Sequence, residues 1–116
     1  MKLSEIISKF GLNVLSPPAR DVEVSGGYVS DLLSDVIANA GRDCVWVTMQ
    51  THVNIVAVAS LKDLSAVIIV SGHKPADNTT EIAKEKGVCL LRTPLSAFNI
   101  VGELYSSGIR GMADAE

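Results

Sequence analysis

Gln50, Thr51, His52 and Asn54 follow directly on one apolar run, Ser71, Gly72 and His73 on a second, and Thr93 closes a third. Amide, hydroxyl and imidazole groups grouped beside helix-opening backbone N–H groups hold polar or anionic small molecules, a phosphate or a carboxylate above all. Gly26-Gly27, ahead of Tyr28, is a further candidate. A paired glycine reads first as a sharp bend or bulge and second as a turn whose backbone can approach a phosphate. The candidate ligand-binding set is therefore Gly26, Gly27, Gln50, Thr51, His52, Asn54, Ser71, Gly72, His73 and Thr93.

The same residues argue against catalysis. Ser71 and Ser25 lack the G-x-S-x-G turn of a hydrolase nucleophile, and Ser71-Gly72-His73-Lys74 lacks the spacing of a P-loop. The carboxylates fall on solvated faces without an evident acid and base pair. A metal site on His52 and His73 would need three or four ligands, and Asp77 across a proline is the only nearby addition. No enzyme activity, metal or cofactor is expected.

These residues need elements to carry them. From Cys44 to Leu104 three apolar strand candidates alternate with three helix candidates, the pattern of a mainly parallel α/β sheet with helices packed on its faces. The strands are Cys44 to Met49 around Trp46, the wholly aliphatic Ala66 to Val70, and Val88 to Leu91. Ligands in such sheets bind beyond the carboxyl ends of the strands, where the polar set lies. Helices are expected from Thr51 or His52 with Val53, Val56, Ala57 and Leu61 inward, and from Asn78, whose Glu81 three residues on makes a capping box, to Gly87. Thr93-Pro94 reads as an N-cap and N1 pair opening a helix with Leu95, Phe98, Val101, Leu104 and Tyr105 inward.

Upstream, Leu3, Ile6, Ile7 and Phe10 form a short amphipathic helix stopped at Gly11, and Asn13 to Ser16 is a brief strand. Val22 to Ser25 alternates as a half-buried strand, and a helix starting at Ser30 carries Leu32, Leu33, Val36, Ile37 and Ala40 on its apolar stripe. Residues 1–106 make one domain and 107–116, without periodicity, a frayed tail.

Composition bounds the partners. The 116 residues carry a net charge of −3 with scattered Lys and Arg, so no basic stripe offers the footprint of a nucleic-acid binder. Aliphatic content is high, at 47% hydrophobic and 4% aromatic residues, and mean hydropathy is +0.31. So much apolar surface in so small a domain favours a homodimer. The uncharged stretch from Cys44 to Leu61 holds too many polar residues to span a membrane, and Met1 to Phe10 has no apolar core of a secretory signal. Cys44 and Cys89, inside strand candidates and far apart, read as buried free thiols. A cytoplasmic location follows.

Gly26-Gly27-Tyr28-Val29-Ser30-Asp31-Leu32-Leu33-Ser34-Asp35-Val36 and the run from Val45-Trp46-Val47-Thr48-Met49-Gln50 to Ala59 resemble the DRTGG domain family, over nearly the whole chain from the Lys2 helix to Leu104. Gly87-Val88-Cys89-Leu90-Leu91-Arg92-Thr93-Pro94-Leu95-Ser96 is also similar to the end of the N-terminal domain of HPr kinase/phosphorylase, without the P-loop domain that phosphorylates. The resemblance implies a dimerising accessory domain of the kind found beside CBS domains and, standing alone, near redox and sensor-kinase genes. Met49-Gln50-Thr51 and Ser71-Gly72-His73 stand where the family's Asp-Arg and Gly pairs are expected. The function expected is a non-catalytic regulatory module sensing a polar, anionic or nucleotide-like ligand. The alternative is an accessory subunit that docks on a redox complex or sensor kinase and binds nothing small.

Overall fold

A computed structural model describes residues 1–112. The elements run α1 (Leu3–Lys9), β1 (Asn13–Ser16), β2 (Gly27–Val29), α2 (Leu33–Asn39), β3 (Val45–Thr48), α3 (Asn54–Leu61), β4 (Ala66–Ile69), α4 (Thr79–Lys86), β5 (Leu90–Arg92) and α5 (Ala97–Ser106). The sheet order is β1-β5-β4-β3-β2. The pairs β2–β3, β3–β4 and β4–β5 are parallel and β1–β5 is antiparallel, so the sheet is mixed but mainly parallel.

The alternation of side chains along β3 and β4 builds two cores. Val45, Val47, Ala66, Ile68 and Val70 face one side, with Leu3 and Ile6 of α1 and Ile100 and Leu104 of α5. Trp46, Val67 and Ile69 face the other, with Val36 of α2, Ile55, Val56 and Ala59 of α3, and Ala83 of α4. Burial on both faces is why these strands read as unbroken apolar runs. Each crossover helix carries the chain one strand further across the sheet on the same face, as consistently handed βαβ units require. Trp46 is fully buried, and its indole N–H donates to the Ser30 carbonyl at 2.8 Å.

Several elements depart from the sequence reading. Val22 to Ser25 is no strand, although its alternation suggested one. Glu23 makes an isolated bridge to Lys2, and the neighbouring backbone bonds of Val22 and Val24 go to Leu3 and Met1. The segment is tied to the start of α1, and the edge strand forms beyond it at Gly27. In α3 the inward residues are Ile55, Val56, Val58 and Ala59, while Ala57 and Leu61 are exposed. Asn78 does not cap α4 through its side chain; it takes a left-handed backbone, φ +67°. Thr93 and Pro94 do not open α5. The Thr93 hydroxyl accepts the Leu95 N–H at 3.2 Å in a local turn, and Ser96 is the cap, accepting from Asn99 N at 3.2 Å. That displacement turns the helix: Ile100 and Leu104 point inward, and Phe98 and Tyr105, expected inside, are 89% and 57% exposed.

The chain remains packed past Ser106. Ile109 is buried, Gly111 bridges Gly27, and Met112 lies against the second core. Residues 113–116 of the expected tail lie outside those described.

Candidate functional site

Parallel pairing in register, with Thr48 beside Ile69 and Ile69 beside Arg92, brings the carboxyl ends of β3, β4 and β5 to one rim. Gln50, Thr51 and His52 leave β3 there, Ser71, Gly72 and His73 leave β4, and Thr93 leaves β5. The two loops on the α3–α4 side are tied directly, because Ala76 N donates to the Thr51 carbonyl at 2.7 Å. Asn54 opens α3 over the same edge, with its N–H on His52 Nδ1 at 3.1 Å.

Gly26 and Gly27 are not part of this cluster. Gly27 pairs with Val45 at the first residue of β3, which places the glycines at the opposite, amino end of the strands. Their function is packing. A Cβ on Gly26 would sit 2.9 Å from the Arg110 carbonyl oxygen, and Gly27 N donates to that oxygen at 2.8 Å. The pair is neither a bend nor a bulge, since Gly27 is the first residue of β2 in unbroken register with β3, and it lies at the end of the strands away from the rim.

Much of the donor capacity of the rim is used within the protein. Ser71 and Gly72 form a tight turn with left-handed backbones, φ +58° and +68°, a conformation glycine takes without cost and serine does not. Their N–H groups donate to the carbonyls of Leu95 and Thr93 at 2.7 and 2.9 Å, so this turn is no open nest of amides. The Gln50 side chain donates to the Asp31 carbonyl at 3.2 Å. Thr93 is buried, and its hydroxyl accepts from Leu95 N. Thr51 is half-buried, and the side chains of His52 and His73 stand exposed at the rim.

Two charged residues join the rim that the candidate set did not contain. Asp31, just beyond β2, accepts from Thr48 Oγ1 at 2.8 Å and from Met49 N at 2.7 Å. It fixes the path by which β3 turns into the Gln50 loop. Arg92, half-buried, donates from Nε to the His73 carbonyl at 3.0 Å and from Nη2 to the Gly72 carbonyl. A guanidinium carries five N–H donors, so the residue that ties down the β4 turn also places a permanent positive charge beside His73. The sequence signal for Arg92 was its place at a strand end. Asp31 had no local signal, because its partners lie 17 and 18 residues away.

Two carboxyls and two thiols titrate away from their ordinary values. Hydrogen bonds from the Ser4 hydroxyl and amide hold the Asp21 carboxyl below its ordinary value. Those of Ser30, Tyr28 and Asn39 do the same for Asp35. Burial pushes the Cys44 thiol up, and that of Cys89 to about 12. Among the described residues no cluster of three or more His, Cys, Asp or Glu could hold a metal ion, and no helix is long and apolar enough to cross a membrane.

No family model matches the sequence, and no curated protein does. Among solved structures, the chain is similar to the CBS and DRTGG domains of the regulatory region of a Clostridium perfringens pyrophosphatase, a structure complexed with the activator diadenosine tetraphosphate. The match has a TM-score of 0.70 at 17% identity and covers 86% of this chain and 44% of that one. The fold is DRTGG-like. This DRTGG-like domain thus spans under half of the structure it matches, and at that identity the likeness is one of architecture.

Proposed function

We propose that this DRTGG-like domain is a non-catalytic, homodimeric regulatory module in the cytoplasm, and that it senses a small polar or anionic ligand, nucleotide-like in character, at the strand-end rim. The observation that carries this reading is that the loops bearing Thr51, His52 and His73 leave one end of the sheet joined by the Ala76–Thr51 bond, with the Arg92 guanidinium on the His73 carbonyl. Imidazole and hydroxyl groups beside a fixed cation suit a phosphate or carboxylate. Because the Ser71 and Gly72 amides are used internally, recognition in this reading falls to side chains. The activator carried by the structurally similar pyrophosphatase region, diadenosine tetraphosphate, supports a nucleotide as the first class to try.

A thermal-shift panel of adenine and guanine nucleotides, diadenosine tetraphosphate and inorganic phosphate tests the reading. A ligand at 100 times its Kd stabilises the native state by about 2.7 kcal/mol. Arg92→Lys, which keeps the charge but loses the guanidinium fork, should weaken any stabilisation found, as should His52→Ala. Stabilisation unchanged in both variants would remove the rim as the site.

The second reading, an accessory subunit docking on a redox complex or sensor kinase with no small ligand, is favoured by the exposed apolar face at α5. A panel that leaves the melting temperature unmoved would put it first.

A further inference from the structure

On the α1–α5 side of the sheet, between the edge strand β2 and the end of α5, lies a hollow bordered by none of the strand-end rim residues. Val47, Val101, Leu104 and Ile109 line it with aliphatic side chains, and Tyr105 and Arg110 stand beside them. Its volume is about 420 Å³, within the roughly 300–1,000 Å³ of small-molecule pockets. Val47, Leu104 and Ile109 belong to the buried core, so the floor is fixed by the fold.

The polar groups at this hollow are few, and they are donors. The Arg110 guanidinium sits 4.0 Å from the Tyr105 ring centroid, a stacking distance. Its Nη1 donates to the Tyr105 carbonyl at 2.7 Å. These two contacts hold a long side chain in one place and occupy one of its five N–H donors. Among the described residues no carboxylate forms an ion pair with it. A further donor comes from the backbone. Gly26 O and Ser30 N are bonded to β3, through Val45 N and Val47 O, so in this parallel ladder Gly27 and Val29 turn their amides to the free edge. The Arg110 carbonyl takes the Gly27 N–H. Among the described residues nothing takes that of Val29, which borders the same hollow.

We propose that this hollow is a further ligand site, and that it takes a small planar aromatic carboxylate. The ring lies on the aliphatic floor, and the carboxylate meets the Arg110 fork and the Val29 amide. The site is separate from the strand-end rim and does not depend on that reading. Each part of the ligand class follows from a group on the wall. The floor side chains offer no donor or acceptor, so they reward an apolar body. An unpaired guanidinium rewards an anion, and its fork matches the two oxygens of a carboxylate. A carboxylate conjugated to a ring is coplanar with it. Bidentate contact therefore sets the ligand ring in the plane of the guanidinium, which already stacks on Tyr105. A flexible aliphatic acid gains no such plane and loses rotamer freedom on entry. A nucleotide would bring several charges to one cation and a polar sugar to an aliphatic floor.

The test titrates the labelled full chain with cinnamate, with its uncharged analogue cinnamyl alcohol and with octanoate, and reads amide NMR shifts. Cinnamate should give saturable shifts centred on Val29, Val101, Tyr105 and Arg110. The alcohol and octanoate should each bind at least about tenfold more weakly. Arg110→Gln changes an exposed side chain and keeps the Arg110 carbonyl in place. It should weaken cinnamate by about tenfold or more and leave the alcohol unchanged, which separates a lost charge from a lost fold. Val29→Glu, at a half-exposed position, should weaken cinnamate more than the alcohol through like-charge repulsion. No shifts at these four residues with millimolar cinnamate, or shifts centred on Gln50 to His52 and His73 instead, overturn the site. Cinnamate binding that is equal in Arg110→Gln, or matched by the alcohol, overturns the carboxylate contact, and octanoate binding as tightly as cinnamate overturns the planar class. Each of these outcomes leaves the rim to its own nucleotide test.

Discussion

Gly26→Ala should detach the segment after α5 from the amino end of the sheet. The new Cβ would lie 2.9 Å from the Arg110 carbonyl oxygen and 3.1 Å from Met112 Sδ. The side chain of Met112 can swing away. The Arg110 carbonyl cannot, because it accepts the Gly27 N–H at 2.8 Å and precedes the Gly111 bridge to Gly27. Relief must come by lifting residues 109–111. That gives up one backbone hydrogen bond, about 1 kcal/mol, and part of the burial of Ile109, whose full exposure would cost roughly 1.5–3 kcal/mol. A loss of about 1–3 kcal/mol is expected in urea unfolding, with faster hydrogen exchange at the Gly27 amide. Gly41→Ala is the control: its Cβ meets only the flexible end of Met112, and it should cost less. Unchanged stability and unchanged Gly27 protection in Gly26→Ala would refute the assignment of the glycine pair to packing.

Other perturbations address the core and the titrating groups. Trp46→Ala should cost about 3–5 kcal/mol, the range for large aromatics removed from a core, and wild-type fluorescence should be blue-shifted and resist iodide quenching. Ser4→Ala removes the hydroxyl donor to the Asp21 carboxyl and keeps the amide one, so that carboxyl should titrate closer to its ordinary value of 3.8 by NMR. Because that carboxyl is depressed in the folded state, its stabilisation is present above the unfolded value and is lost as pH falls through the folded one. Cys89 works in the opposite direction. Its thiol is raised from 9.0 to about 12, so stability should decline as pH climbs through that interval, and a thiol reagent at pH 8 should modify it only on unfolding.

What the sequence disclosed follows physical range. Ala66 to Ile69 and Val45 to Thr48 were legible as strands because burial on both faces leaves them apolar up to the closing Thr48. The rim followed from topology, since parallel neighbours joined by crossover helices must end together. Helix α5 was legible as a helix but not in its rotation. Leu95, Phe98, Val101 and Tyr105 make one apolar stripe, Ala97, Ile100 and Leu104 another, and only the shift of the cap from Thr93 to Ser96 decides between them. Val22 to Ser25 misled because a period of two records alternate burial, which the contact with α1 supplies without a sheet. Asp31 and the docking of Ile109 were hidden because both depend on partners far along the chain.

The most direct measurement of the central claim is an amide NMR titration of the labelled protein with diadenosine tetraphosphate, adenine and guanine nucleotides and inorganic phosphate in turn. The account predicts saturable shifts centred on Gln50 to Asn54, Ser71 to His73 and Arg92, weakened in Arg92→Lys. Shifts confined to the Val29 and α5 face, or none at millimolar ligand, would contradict it.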